Sequence, residues 1–123
     1  MGSMKALFDT NILIDYLNGI EAAREEIEAY ERPLISPITW MEVMVGAEAD
    51  EEHPIRGFLQ RFSQVPLDTA VAERAVSIRR IRKMRLPDAI VWASAQSQDA
   101  LLVTRNTRDF PADAPDVRVP YRL

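Results

Sequence analysis

The sequence predicts one layered α/β domain made of parallel β-α units, and three observations predict it. Short apolar runs alternate with stretches of helical periodicity along the whole chain. Caps or prolines mark most of the junctions between them. The length of 123 residues fits one domain rather than two.

The first strand is expected at Met4 to Phe8, ending on Asp9. Ile12, Leu13, Tyr16 and Leu17 then take up helical spacing until Asn18-Gly19 stops them. A helix from Glu21 to Glu31 gives way at Pro33 to a short apolar run, Leu34-Ile35, after which Thr39 is read as the cap of a helix reaching Ala49. Pro54 opens a helix over residues 54 to 63, and Val65-Pro66-Leu67 is a brief extended piece. Asp68 and Thr69 offer a cap for a basic helix, and Pro87 suits the first turn of another that runs to Ser97. That last helix is apolar nearly all round, which makes it central and buried. Leu101 to Val103 is the clearest strand, and Val117 to Val119 reads as an edge strand beside prolines. Met1-Gly2-Ser3 reads as an expression scar, leaving a single domain over residues 4 to 123.

Composition narrows the function. Hydrophobic residues make up 47% and charged residues 28%, an ordinary globular balance, and the absence of cysteine fits a reducing, cytoplasmic setting. No apolar run approaches the roughly 20 residues that span a bilayer. A formal net charge of −4 counts at face value against a nucleic-acid partner held by bulk positive charge. The distribution says more. Residues 1 to 56 carry twelve acids and four bases, whereas residues 57 to 123 carry seven acids and eleven bases. Arg74, Arg79, Arg80, Arg82, Lys83 and Arg85 crowd one helix end, and Glu21, Glu25, Glu26, Glu28 and Glu31 lie on an earlier stretch read as a solvated face.

In a parallel sheet the functional residues lie outside the carboxyl ends of the strands. Two strands end there on polar clusters, Asp9-Thr10-Asn11 and Thr104 to Asp109. Asp9 alone could be a helix cap, and Asn106 and Asp109 alone could be turn formers. Glu42 and Asp88 are harder to dismiss. Glu42 has apolar neighbours at Ile38 and Val45 and is expected to point inward, which would call for a partner. Asp88 opens the most apolar helix of the chain, where the helix dipole offers it only about 0.3 to 1 kcal/mol. Were Asp9, Glu42, Asp88 and Asp109 to meet on one rim, each close pair would repel by roughly 4 kcal/mol at about 4 Å and an effective dielectric of about 20. Either some protonate or a hard divalent cation sits among them, and an all-oxygen set favours magnesium or manganese over zinc. His53, in the acidic loop Glu51-Glu52-His53-Pro54, is read as a surface residue rather than a ligand. Carboxylates holding magnesium suit phosphodiester hydrolysis.

Four segments carry a resemblance: LFDTNILIDYL at Leu7 to Leu17, SPITWMEV at Ser36 to Val43, LPDAIVWASA at Leu86 to Ala95, and LLVTRNTRDF at Leu101 to Phe110. In this order and spacing the chain resembles the PIN domains, and among them the VapC-type toxin ribonucleases of toxin–antitoxin pairs. The resemblance covers the chain from Met4 onward. It implies a three-layer α/β/α sandwich around a mainly parallel sheet of four to five strands, and a Mg2+- or Mn2+-dependent endoribonuclease site. Carried over residue by residue, the four family acids fall on Asp9, Glu42, Asp88 and Asp109. Asp9, Asp88 and Asp109 would hold metal directly or through water, and Glu42 would bind a second metal or orient the attacking water. Thr10, Asn11, Thr104 and Asn106 fall on the supporting polar positions. RNA would lie over Arg79, Arg82, Lys83 and Arg85, with Arg105 and Arg108. The resemblance also implies a homodimer silenced by a small VapB-type antitoxin. The chain departs from the family at Trp92, where a small residue is usual.

Three other readings compete. A dehalogenase-like phosphatase would want a second Asp where Asn11 stands, and a receiver domain would want an acidic pair before its phosphorylated Asp and a strand-end Lys. A catalytically inactive PIN-like domain that only binds protein or RNA would not need all four acids.

Overall fold

A computed structural model describes residues 5–123. Met4, expected to begin the first strand, and the proposed scar at Met1-Gly2-Ser3 lie outside the described residues. The first strand, β1 (Ala6–Phe8), is apolar on both faces and wholly buried, as a central strand of a parallel sheet must be. β2 (Leu34–Ile35) pairs with it on one side through Leu7 and Leu34, and β4 (Leu101–Val103) on the other through Leu7 and Leu102. β3 (Ser63–Gln64) and β5 (Val117–Arg118) complete a five-stranded sheet of order β3-β2-β1-β4-β5, with every pair parallel. From β1 the chain builds outward to β2 and β3, then crosses back to β4 and β5. The change of direction falls between β1 and β4, where a parallel sheet opens a crevice at its carboxyl edge.

Six helices cover this sheet: α1 (Thr10–Leu17), α2 (Glu21–Glu28), α3 (Pro37–Val45), α4 (Glu52–Leu59), α5 (Thr69–Arg82) and α6 (Leu86–Ser97). Strand alternation sorts them into layers. Leu7, Leu102 and Val117 face a core with Val71, Ala75 and Ile78 of α5 and Val91 and Trp92 of α6. Ala6, Phe8 and Val103 face the other, with Ile12 and Leu13 of α1, Ile27 of α2 and Phe58 of α4. The expected α/β/α sandwich is thus present, with a sheet of five strands.

Several boundaries differ from the sequence reading, each for a local reason. α3 is capped by Ser36, whose Oγ accepts from the Ile38 N–H at 3.1 Å, and not by Thr39. Pro37 explains the earlier start, because its fixed φ suits the first helical turn and its missing N–H is not needed there. α3 also stops at Val45 rather than Ala49, α2 ends at Glu28 rather than Glu31, and α4 takes in Pro54 in its first turn. β3 lies at Ser63–Gln64, just ahead of the expected Val65–Leu67; the Val65 N–H still reaches Ile35 O at 2.9 Å, but Pro66 has no N–H to extend the ladder. β5 stops at Arg118, before Val119. Asp68 caps α5 as expected, accepting from the Val71 N–H at 2.9 Å.

Trp92 is accommodated rather than strained. Its Nε1 donates to Asp116 at 2.8 Å, its ring meets Phe110 edge-on at 5.9 Å, and the Arg82 guanidinium covers it at 4.8 Å.

Candidate active site

Asp9 leaves the carboxyl end of β1 in extended conformation and caps α1, so its cap role is real. Oδ1 accepts from the Thr10 N–H at 2.8 Å. Oδ2 accepts from the Thr104 hydroxyl at 2.8 Å and from Asn11 Nδ2 at 3.1 Å. A cap alone needs none of the contacts to Oδ2. Asp9 is only 6% exposed, and burial pushes its carboxyl from 3.8 up to about 6 against the lowering by Thr104 and Thr10, with the charges of Asp88 and Glu42 adding to the rise.

The other three acids arrive from different elements. Glu42 is exposed on α3, not turned into the core as its apolar neighbours led the sequence reading to expect. Its reach is toward the rim, where the Thr10 hydroxyl donates to Oε1 at 2.6 Å and lies 3.1 Å from the Thr39 hydroxyl. Val43 takes the inward place on that turn, and Met41 and Val45 face solvent. Asp88, in the first turn of α6, is raised above the usual carboxylate range by its own burial. Arg85 at 3.4 Å opposes that rise, and Asp109 and Glu42 reinforce it. Asp109 is held by Asn106, whose Nδ2 donates to Oδ2 at 2.8 Å and whose Oδ1 accepts the Asp109 N–H at 3.2 Å.

The four acids therefore share one electrostatic field, with Asp88 linked to each of the other three through Glu42, Asp109 and Asp9 repulsion. Among the described residues no three acidic or histidine side chains stand close enough to enclose a metal ion unaided. Magnesium, by its chemistry, keeps several of its waters and needs only one or two direct carboxylates. The residues fit such an ion through their all-oxygen chemistry and through a buried carboxylate that no cationic side chain pairs.

Basic residues divide by what they touch. Arg79, Lys83 and Arg108 are exposed, and Arg108 borders a shallow polar depression of about 330 Å³ with Asn11, Asn106 and Thr107. Arg82 lies on Trp92 and Arg85 beside Asp88, each leaving an exposed flank. Arg105 has another task. Its guanidinium bonds Asp15 in two places, at 2.7 and 2.8 Å, while a third of the side chain stays exposed and borders the same depression.

Sequence reasoning passed over Asp15 and misplaced Glu26, which is buried and not on a solvated face. Glu26 receives two hydrogen bonds from Arg118, at 2.6 and 3.0 Å. A signal existed in each case. Ala23, Glu26, Ile27 and Tyr30 share helical spacing, and Asp15 stands one turn beyond Asn11 and Ile12.

A PIN domain family model matches residues 6–113 of this chain. The chain belongs to the PIN domain family. It is 32% identical over 113 residues to Ribonuclease VapC10 of Mycobacterium tuberculosis, covering 85% of each chain. It is 31% identical over 119 residues to the tRNA(fMet)-specific endonuclease VapC of Shigella flexneri, covering 87% of this chain and 90% of that one. Among solved structures, a chain of a toxin-antitoxin complex from Klebsiella pneumoniae superposes with a TM-score of 0.90 at 47% identity, covering 96% of this chain and 99% of that one. The PIN domain thus takes its VapC form here.

Proposed function

We propose that this PIN domain is the toxin of a type II toxin–antitoxin pair and hydrolyses RNA phosphodiester bonds with Mg2+ or Mn2+ at the rim formed by Asp9, Glu42, Asp88 and Asp109. The observation that carries the reading is Asp9: a carboxylate at the sheet's switch point, raised by its burial and further by two acids, and paired with no cation among the described residues. The VapC relatives and the toxin-antitoxin complex support the toxin and nuclease reading.

When bound, the cation supplies an activated water and neutralises charge building on the phosphate. The chain's own residues set the geometry. Thr104, Asn11 and the Thr10 N–H hold both oxygens of Asp9 in place, so that its charge faces the crevice without rotamer search. Asn106 does the same for Asp109. Glu42, exposed and tied to Thr10, is positioned either to accept a proton from the attacking water or to bind a second ion. The products are a 5′-phosphate and a 3′-hydroxyl. Arg79, Arg82, Lys83, Arg85 and Arg108 draw the RNA backbone across the rim. A VapB-type antitoxin obstructs the acids, a second copy of the chain forms a homodimer, and the protein acts in the cytoplasm.

The test is RNA cleavage by the purified chain, free of partner, in manganese, beside Asp9→Asn and Asp88→Asn. Cleavage by the parent and its loss in both variants are expected; an inert parent, or variants as fast as the parent, would overturn the site. Expression without the antitoxin should also arrest growth.

A further inference from the structure

Arg105 immediately follows β4, between Thr104, which bonds Asp9, and Asn106, which holds Asp109. Its own N–H donates to Asn11 Oδ1 at 3.1 Å, and the Asn11 amide in turn donates to Asp9. Its guanidinium crosses to Asp15 on α1, one turn beyond Asn11. Asp15 is 4% exposed and accepts a further hydrogen bond from the Tyr121 hydroxyl at 2.8 Å. The loop carrying Asp109 is thus fastened to the helix that Asp9 caps through one residue, by main chain and side chain together.

We infer that Arg105 is a positioning residue: clamped by Asp15 and Tyr121, it fixes the spacing between Asp9 and Asp109 and thereby the affinity of the rim for a divalent cation. This rests on the metal-dependent reading above. Two features separate it from a merely structural ion pair. The fork of Arg105 spans α1 and the β4 loop, the two elements that bring Asp9 and Asp109. Both neighbours in sequence spend their side chains on those two acids, so a displacement at Arg105 moves both supports, and outer supports of this kind change metal affinity or activity by about 10- to 100-fold. A point charge would not serve equally, because a planar fork fixes direction as well as distance.

The experiment is calorimetric titration of the purified chain with MnCl2, alongside RNA cleavage and thermal melts, for the parent, Arg105→Ala, Asp15→Asn, the double variant and Tyr121→Phe. Arg105→Ala is expected to weaken Mn2+ binding about tenfold and to lower kcat, with KM for RNA within about twofold. Asp15→Asn should behave alike, and the double variant should be no worse than the single ones. Tyr121→Phe removes one hydrogen bond and keeps the packing, so it remains informative if the others fail to fold; a two- to threefold weaker Mn2+ affinity, roughly half a kcal/mol, is expected. Unchanged Mn2+ affinity in the folded variants, whether KM rises or only the melting temperature falls, would overturn the inference. A parent that neither binds Mn2+ nor cleaves RNA would instead remove the proposed function on which it rests.

Discussion

Two sets of acids sit at similar depth in this molecule and have opposite surroundings. Asp15 and Glu26 are each met by a two-pronged arginine, Arg105 and Arg118, so their charge is answered inside the fold. Asp9 is equally buried but among the described residues is met only by neutral donors, and it feels the charges of Asp88 and Glu42. Burial of a carboxylate costs several kcal/mol unless a cation or several hydrogen bonds answer it. The paired acids hold elements together, and the proposed function gives the unpaired one its ligand from outside.

The largest expected effect tests that division directly. Asp9→Asn and Asp88→Asn should each lower RNA cleavage by about 100-fold or more in saturating Mn2+, while circular dichroism shows the fold retained. Cleavage within a few-fold of the parent would place Asp9 with the structural acids.

The next prediction follows from the elevated Asp9 carboxyl, about 6 against 3.8. Between those values the folded, metal-free protein binds more protons at this position than the unfolded chain does. The contribution of Asp9 to stability therefore falls as pH rises from about 4 to about 6 and stays low above that. Asp9→Asn lacks this term, so in chelator its stability relative to the parent should improve across the window by up to about 3 kcal/mol. Denaturant melts at pH 4 and pH 7 measure the difference, and a change of opposite sign would contradict the assignment. Saturating Mn2+ should shrink it, because the ion binds the ionised carboxylate.

Glu26→Gln probes the other set. Arg118 is about half exposed, so the loss should be about 2 kcal/mol, below that of a fully buried pair, with cleavage per folded molecule unchanged. A drop in kcat at full folding would show that the structural acids also serve the site.

The smallest effect concerns the free cations. Lys83→Ala or Arg79→Ala should raise KM for RNA by roughly twofold to threefold and reduce the salt dependence of binding by about one counterion, leaving kcat in place. Salt titration of RNA affinity reads both.

Much of this was legible in the chain. Asp88 was visible because it opens an apolar helix, whereas Asp9 and Asp109 taken singly fit ordinary cap and turn roles and stood out only through the family-like segments that carry them. Glu42 was found for an unsound reason, since the apolar run around it suggested an inward face, whereas α3 buries only Thr39 and Val43 and leaves Met41 and Val45 in solvent as well. Thr39 was taken for a cap because residue type cannot distinguish it from Ser36 when a proline between them decides the start. Arg105 looked like a phosphate contact because it stands in a basic, polar loop, and nothing nearby in sequence announces Asp15, 90 residues away.

The sequence by itself determined the parallel β-α alternation, because strand and helix periodicity and capping act over a few residues, and the resemblance of four segments singled out the acids. Only the tertiary structure decided which charges meet. Placing β4 beside β1 brings Thr104 onto Asp9 and Arg105 onto Asp15, and pairing of that kind depends on distances between elements far apart in the chain. The net charge of −4 contains acids of both kinds, and their separation into those paired with arginine and the one held by neutral donors exists only in the folded state.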